Sequence, residues 1–329
     1  MSNIHDVAAE AGVSIKTVSR VVNNAPNVGA DMRDRVNAAI SRLGYRPNQS
    51  ARRLAGGRSF MIAFLYNNPT PGYTADIQIG AANRCLELGY HLVVEPMPLT
   101  GVDRFEVLER LVAGLRPDGV FLVPPLSDDR ELLKKLKDLN LQCARLAGAL
   151  AFESVNIPTP DRAAGRMVAD HLVSLGHRAI GVIEPPMEHK AASARIDGFK
   201  DGLSAAGLPI SPELFLRGEF DFASGQKAGA ALLARVERPT AIFAANDAMA
   251  LGVMTCAHRM GLAIPDDLSI VGFDDTEASL MCWPPLTTVR QPLVSMGQAL
   301  VDVLVGKPEY LVDFTFELVD RESSGPSKA

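Results

Sequence analysis

The chain has 329 residues, of which 47% are hydrophobic, a net charge of −5, and four cysteines. That length supports two sizeable cores with a small appendage. Cys85, Cys143, Cys256 and Cys282 make no CxxC pair and no metal-ligand spacing, which argues against a disulfide scaffold or a zinc site and for buried reduced thiols.

No apolar run approaches the length of a membrane span, and "MSNIHDVAAE" has neither the basic start nor the apolar stretch of a secretory signal, so the expectation is a cytoplasmic protein without a membrane partner. The charge is unevenly divided. Residues 1–58 hold nine Lys/Arg against four acidic residues, a net of +5, which leaves −10 on the remainder. Such asymmetry predicts a basic, polyanion-binding head on an acidic body.

Three short helices are predicted in the head. "NIHDVAAEAG" places Ile4, Val7, Ala8 and Ala11 on one side and stops at Gly12. In "GVSIKTVSRVVNN", Ser14 is an N-cap and Val18, Val21 and Val22 form one apolar stripe, which turns Lys16, Ser19 and Arg20 outward and leaves Ile15 near the boundary. A third helix, from about Ala30 to Leu43, is expected to bury Met32, Val36, Ile40 and Leu43 before Gly44. Two helices joined by a tight "AGV" turn have the build of a helix-turn-helix, whose second helix enters the major groove of double-stranded DNA. Lys16 and Arg20 are then placed to donate to guanine, Ile15 to touch a thymine methyl, and Thr17, Ser19 and Asn23 to hold phosphates. On the helical pattern alone, a three-helix bundle with an ordinary charged surface remains open.

The next stretch, "YRPNQSARRLAGGRS", has Pro47 as a breaker, Asn48 as an N-cap, and a run too short to be a stable helix by itself. It is expected to order on binding. Leu54, beside Arg52 and Arg53, is suited to wedge into a minor groove when paired across a dimer axis; a basic linker with Leu54 packed on the body is the alternative.

"DVAAEAGVSIKTVSRVVNN" and "RLGYRPNQSARRL" resemble the LacI/GalR family of bacterial transcription regulators, and the likeness runs from Asn3 to about Glu322. The resemblance implies a homodimer on a pseudo-palindromic operator, with Ile15, Lys16 and Arg20 reading bases and Leu54 intercalating. Gly29 departs from the serine usual before the third helix. The implied organisation is a DNA-binding domain over 1–46, a hinge over 47–58 and a two-lobed body over 59–329, its N-lobe about 59–156 and 290–315 and its C-lobe about 157–289 and 316–322.

In the body, apolar runs alternate with helical ones: "FMIAFLY", "IGAANRCLELG", "HLVVEPM", "VDRFEVLERLVAGL", "DGVFLVPP", and again from "RAIGVIEP" through "DLSIVGFDD". The fold class predicted is a parallel α/β body in two similar lobes beneath an all-α head. Ligands of open α/β sheets bind at the carboxyl ends of the strands, so two facing lobes make a cleft. Arg195 in "ASARIDGF", Asn246 and Asp247 in "FAANDAMA", and Asp274 in "VGFDDTEAS" suit a polyhydroxylated ligand, with Tyr73 and Trp283 as stacking faces. Asp and Asn after strands also cap helices. The family resemblance implies effector roles for Arg195, Asn246 and Asp274, adds Tyr73, Trp283 and Asp247 by position, and likens Asp161 in "PDRAAGRMVADHL" to an acidic residue opening the helix after the first crossover.

No GxSxG, HExxH, P-loop or GxGxxG occurs and the histidines have no ligand spacing, so neither an enzyme nor a bound cofactor or metal is expected. The expectation is a dimeric repressor released from its operator by a sugar or glycoside. A regulator using a purine-like corepressor is the alternative, and a transport receptor fits less well because of the basic head. The chain after "FTFELVDRE" shows no heptad pattern, which predicts no tetramerisation helix there.

Overall fold

The computed structural model describes residues 2–22, 28–45, 58–67, 70–99, 101, 103–306 and 313–328. The chain divides into two compact units, Met1–Phe60 and Met61–Ala329. Asn23, Asn48, Arg52 and Leu54, and with them the predicted hinge over 47–57, lie outside the described residues.

The head holds α1 (Ile4–Ala11), α2 (Ile15–Val22) and α3 (Ala30–Leu43). Asn3 and Asp6 form a reciprocal capping box at the start of α1: Asn3 Oδ1 accepts from the His5 and Asp6 amides while Asp6 Oδ2 accepts from the Asn3 amide. Gly12 ends the helix at φ 63°, a left-handed conformation that glycine adopts without penalty. Ser14 Oγ accepts the Thr17 amide at 3.1 Å and starts α2. Val7, Ala8, Ala11, Val18, Val21, Val36 and Ala39 make the core. Met32 is not part of it. It stands 37% exposed, in the first turn of α3, while Ala39, a full two turns on, is buried.

In the body, β1 (Met61–Tyr66), β2 (His91–Pro96), β3 (Gly119–Leu122), β4 (Cys143–Leu146) and β5 (Val155–Ile157) form one parallel sheet in the order β2-β1-β3-β4-β5. Helices α4 (Pro71–Glu87), α5 (Asp103–Leu115) and α6 (Arg130–Asp138) alternate with these strands. A second parallel sheet contains β6 (Ile180–Glu184), β7 (Phe215–Arg217), β8 (Ala241–Ala244) and β9 (Ser269–Val271) in the order β7-β6-β8-β9. Its helices are α7 (Asp161–Ser174), α8 (Lys190–Ala205), α9 (Phe222–Leu233) and α10 (Asp247–Arg259), followed by the short α11 (Glu277–Met281). Strands β3 and β8 are buried along their whole length, as strands of a sheet covered on both faces must be.

The chain passes between the lobes after β5, and again where β10 (Thr288–Arg290) leads into α12 (Leu293–Leu304), which packs on α4 of the first lobe. It ends by returning as β11 (Glu317–Val319), antiparallel to β10. Beyond β11 the described residues contain no helix; they run back along the second lobe, where the Ile270 amide donates to Ser323 O and the Ser327 amide to Leu175 O.

Three helix pairs touch backbone to backbone, each through one glycine on either helix. A Cβ on Gly80 would lie 1.9 Å from Val294 O and one on Gly297 2.2 Å from Ile77 O, joining α4 to α12. Gly165 and Gly198 do the same for α7 and α8, and Gly225 and Gly252 for α9 and α10. Gly80 in "IGAANRCLELG" and Gly198 in "ASARIDGF" are thus both glycines of close helix contact, one in each lobe.

Candidate functional site

Two sites arise, one in each unit. In the head, Ile15, Lys16 and Arg20 are exposed together at the start and one turn into α2, and Thr17 and Ser19 are half-buried beside them. The head's other described cations are tied to the fold. Arg33 Nε donates to Val28 O, Arg35 Nη2 donates to Ala11 O at 2.7 Å, and Arg42 pairs with Glu10. Arg35 was not singled out from sequence; it reaches from α3 to the end of α1 and fixes the turn that sets the angle of α2. Lys16 and Arg20 make no bond to any described residue. They give the N-terminal end of α2 a basic, exposed surface.

In the body, strand order reverses on either side of β1 and β3 in the first sheet, and of β6 and β8 in the second. The carboxyl ends at these switch points face one another across a narrow, partly open cavity. Thr70, Tyr73, Pro124 and Ala147 line it from the first lobe, and Thr159, Asp161, His189, Arg195, Phe220 and Asp274 from the second, with Gln291 at the crossing after β10.

Asp161 is the first residue of α7 and Arg195 lies on α8. The glycine contact between those helices brings them together: Arg195 donates from Nε and Nη2 to Asp161 Oδ1 at 3.1 and 2.7 Å, and from Nη1 to Ala245 O at 2.6 Å. Its guanidinium lies 3.5 Å from the centroid of the Phe273 ring. Thr159 Oγ1 donates to the other Asp161 oxygen at 2.6 Å. This fork is rigid, and its charge is balanced internally.

Asp274 and Asp275 sit at φ 109° and 54°, conformations that cost a non-glycine residue of order 1–3 kcal/mol. The surroundings hold them there: the Asp274 amide donates to Val289 O, Gln291 Nε2 donates to Asp274 Oδ1 at 2.6 Å, and Asp275 pairs with Arg290 and Arg321. Burial pushes the Asp274 carboxyl up to about 8 against the pull of Arg195, and pushes Asp247 up to about 6. The Tyr73 hydroxyl is also raised, first by burial and then by Asp161 and Asp274.

A carboxyl raised in the folded state binds a proton that the unfolded chain has already released, so it contributes stability at low pH that is lost as pH rises through its folded value. Between pH 5 and about 8, the contribution of Asp274 therefore declines. Urea midpoints across that range are expected to fall less in Asp274→Asn than in the wild type; parallel profiles would contradict the shift.

Of the seven residues expected from sequence, Tyr73, Asp161, Arg195 and Asp274 line the cavity. Asn246 stands directly behind it. Its Oδ1 caps α10 at the Met249 amide, and its Nδ2 donates to Phe220 O and across the lobes to Thr70 Oγ1 at 3.1 Å. Asp247 does not line the cavity: its oxygens accept from the Thr276 amide, Thr276 Oγ1 and Thr288 Oγ1, which ties loops together. Trp283 also lies outside the cavity and is 76% exposed. Gln291, His189, Phe220, Thr70 and Thr159 were missed. Thr159, Phe220 and Gln291 follow three-residue strands that carry no readable period, and Thr70 and His189 lie in loops beyond the ends of β1 and β6.

A two-lobed parallel α/β body with a polar cleft at facing strand ends, carried with a helix-turn-helix, defines a DNA-binding regulator with a ligand-binding body. The comparisons agree. Residues 3–48 match the model described as bacterial regulatory proteins, lacI family, and residues 169–324 match a periplasmic binding protein-like domain. The chain is 32% identical to an HTH-type transcriptional repressor PurR of Photorhabdus laumondii, over 98% of this chain and 97% of that one. It is 33% identical to catabolite control protein A of Priestia megaterium, over 92% and 91%. The solved Lac repressor dimer bound to operator and the anti-inducer ONPF superposes with TM-score 0.78 at 31% identity, covering 98% and 99% of the two chains. A transcriptional regulator CelR–cellobiose complex gives 0.74 at 29%, covering 98% and 100%. The chain belongs to the lacI family of bacterial regulatory proteins. Among the described residues, no helix is long and apolar enough to cross a membrane.

Proposed function

We propose that this regulator is a homodimeric repressor released from a pseudo-palindromic operator by a neutral, hydroxyl-rich sugar effector. The observation that carries the reading is the charge-balanced Arg195–Asp161 fork facing Asp274 and Gln291. The cavity wall includes both donors and acceptors, among them Tyr73, Thr159, Asp274 and Gln291, as hydroxyl groups require. Arg195 is already neutralised, so a phosphate or carboxylate on the ligand meets no free cation there. A structurally similar regulator solved with cellobiose adds support for a sugar. A purine-like corepressor is the second reading, favoured by Tyr73 and Phe220 on the cavity wall and by the PurR relatives. Fluorescence anisotropy on DNA from the protein's own upstream region, at fixed salt with a panel of sugars and purines, separates the two. Release by a sugar supports induction, and binding that appears only with a purine overturns it.

Lys16 and Arg20 read bases in this proposal. Arg20→Ala is expected to cost ~1–3 kcal/mol on operator and little on random DNA. Equal losses on both would make it a phosphate contact.

Trp283, with Leu280 and Met281, forms an exposed apolar run on the second lobe, while Ile79 and Leu86 share the outer face of α4 in the first. Apolar surface of this kind marks a protein interface, and its proposed occupant is the second subunit. Trp283→Glu is expected to sediment as a monomer at micromolar concentration and to bind operator more weakly than the wild type. An unaltered dimer would remove Trp283 from the interface.

In the proposed switch, the effector draws the lobes together, shifts the paired first lobes and disfavours the hinge around Leu54. A coupling of ~3 kcal/mol changes operator affinity roughly a hundredfold.

A further inference from the structure

Arg145, the next-to-last residue of β4, does not line the cavity, yet among the described residues it is the largest side chain that is almost completely buried, at 2% exposed. Its register partners are Leu122 on β3 and Asn156 on β5, so it stands between two strands of the first sheet. Among the described residues its guanidinium is bonded to no carboxylate. The two hydrogens of Nη1 go instead to two carbonyl oxygens: Ser127 O at 3.1 Å, in the single turn Leu126–Asp128 after β3, and Leu150 O at 3.0 Å, in the loop after β4. Burying a cation without a carboxylate is unfavourable, and an apolar side chain would fill the same place in a strand at less cost. What an apolar side chain cannot do is join the two loops.

Both loops supply cavity wall: Pro124 lies in the one after β3, and Ala147 begins the one after β4. The second loop is held at every residue. Ala147, at φ 53°, donates its amide to Ile157 O at 2.8 Å, and Gly148 exchanges two bonds with the Asn156 side chain, both at 2.8 Å. The Ala149 and Leu150 amides donate to Asp128 Oδ1 at 2.8 and 2.7 Å. Leu150 is therefore gripped on both sides, its amide by Asp128 and its carbonyl by Arg145. A Cβ on Gly148 would lie 2.8 Å from Arg145 Nη1 and 2.9 Å from Asn156 Oδ1, so the loop rests directly on the guanidinium. We infer that Arg145 is a positioning residue of the cavity: it touches no effector, and by tying the two loops together it fixes Pro124 and Ala147 as the first-lobe wall. The inference rests on the cavity being the effector site, and it holds for a sugar and for a purine alike.

Isothermal titration of the full chain with glucose, galactose, cellobiose, adenine and hypoxanthine, with melting curves on the same samples, tests this. Any of these compounds that the wild type binds is expected to bind at least tenfold more weakly to Arg145→Met, which keeps most of the bulk and removes both donors. Asp128→Ala, at the partly exposed side of the same tie, is expected to weaken the same compound. The double variant is expected to lose no more than Arg145→Met alone, because both changes release one loop. A residue serving the fold alone would lower the melting temperature and leave the affinity of the folded protein as it was. Unchanged affinity in Arg145→Met would thus overturn the inference, as would additive losses in the double variant. Should Arg145→Met fail to fold, unchanged affinity in Asp128→Ala would overturn it equally. Binding of none of the five compounds by the wild type would overturn the sugar and purine readings, and the inference with them.

Discussion

Arg195→Ala is expected to lower the stability of the body by ~3–5 kcal/mol and to abolish the effector response, because it strands the buried Asp161 carboxylate without its partner. Both side chains are less than a tenth exposed, so water does not replace the lost donors. The Ala245 carbonyl also loses its donor and the Phe273 ring its covering guanidinium. Lysine is not expected to rescue: a single ammonium reaches neither both partners nor the flat position over the ring. Loss of response through unfolding is separated from loss through chemistry by the double variant Asp161→Asn, Arg195→Met. It removes both charges, recovers much of the stability in urea titration, and is expected to remain unresponsive in operator-release assays. A response retained in that double variant would move the effector away from the fork.

The second large effect is expected at Gly165. A Cβ there would stand 1.7 Å from the carbonyl oxygen of Arg195, and a backbone atom cannot rotate away. Accommodating it requires α7 and α8 to separate, which costs ~3 kcal/mol or more for an overpacked helix contact. The same separation pulls Asp161 from Arg195, so Gly165→Ala should weaken effector binding although residue 165 touches no ligand. Gly114, near the end of α5, meets nothing within 4 Å, and there the same substitution should stabilise by ~0.5–1 kcal/mol through helix propensity alone. Thermal unfolding of the two variants should therefore move in opposite directions; equal shifts would mean that close packing at Gly165 is not the cause.

The head was legible because its valine stripe has helical period and its turn is punctuated by Gly12 and Ser14. The apolar runs that became β1, β3, β6 and β8 were equally plain. Three-residue strands such as β5, β7, β10 and β11 carry no readable period, and with them went the crossing that delivers Gln291. Asp247 shows a related limit: a carboxylate after a strand looks the same in sequence whether it faces a ligand or a neighbouring loop. Only the placement of Thr276 and Thr288, far along the chain, decides it. Trp283 shows the converse, a large aromatic residue whose exposure depends on which way a loop turns.

The loop bearing Asp274 is fastened at both ends of its reach. Asp247 grips it through Thr276, and Gln291 and Arg290 tie it to the crossing after β10. The loop that carries the proposed ligand contact is thus bonded directly to the passage between the lobes, through two side chains and nothing longer. For directed evolution the proposed site then has a boundary: changes at Tyr73 or Phe220 are expected to retune selectivity alone, whereas changes at Asp274 are expected to disturb the passage between the lobes as well.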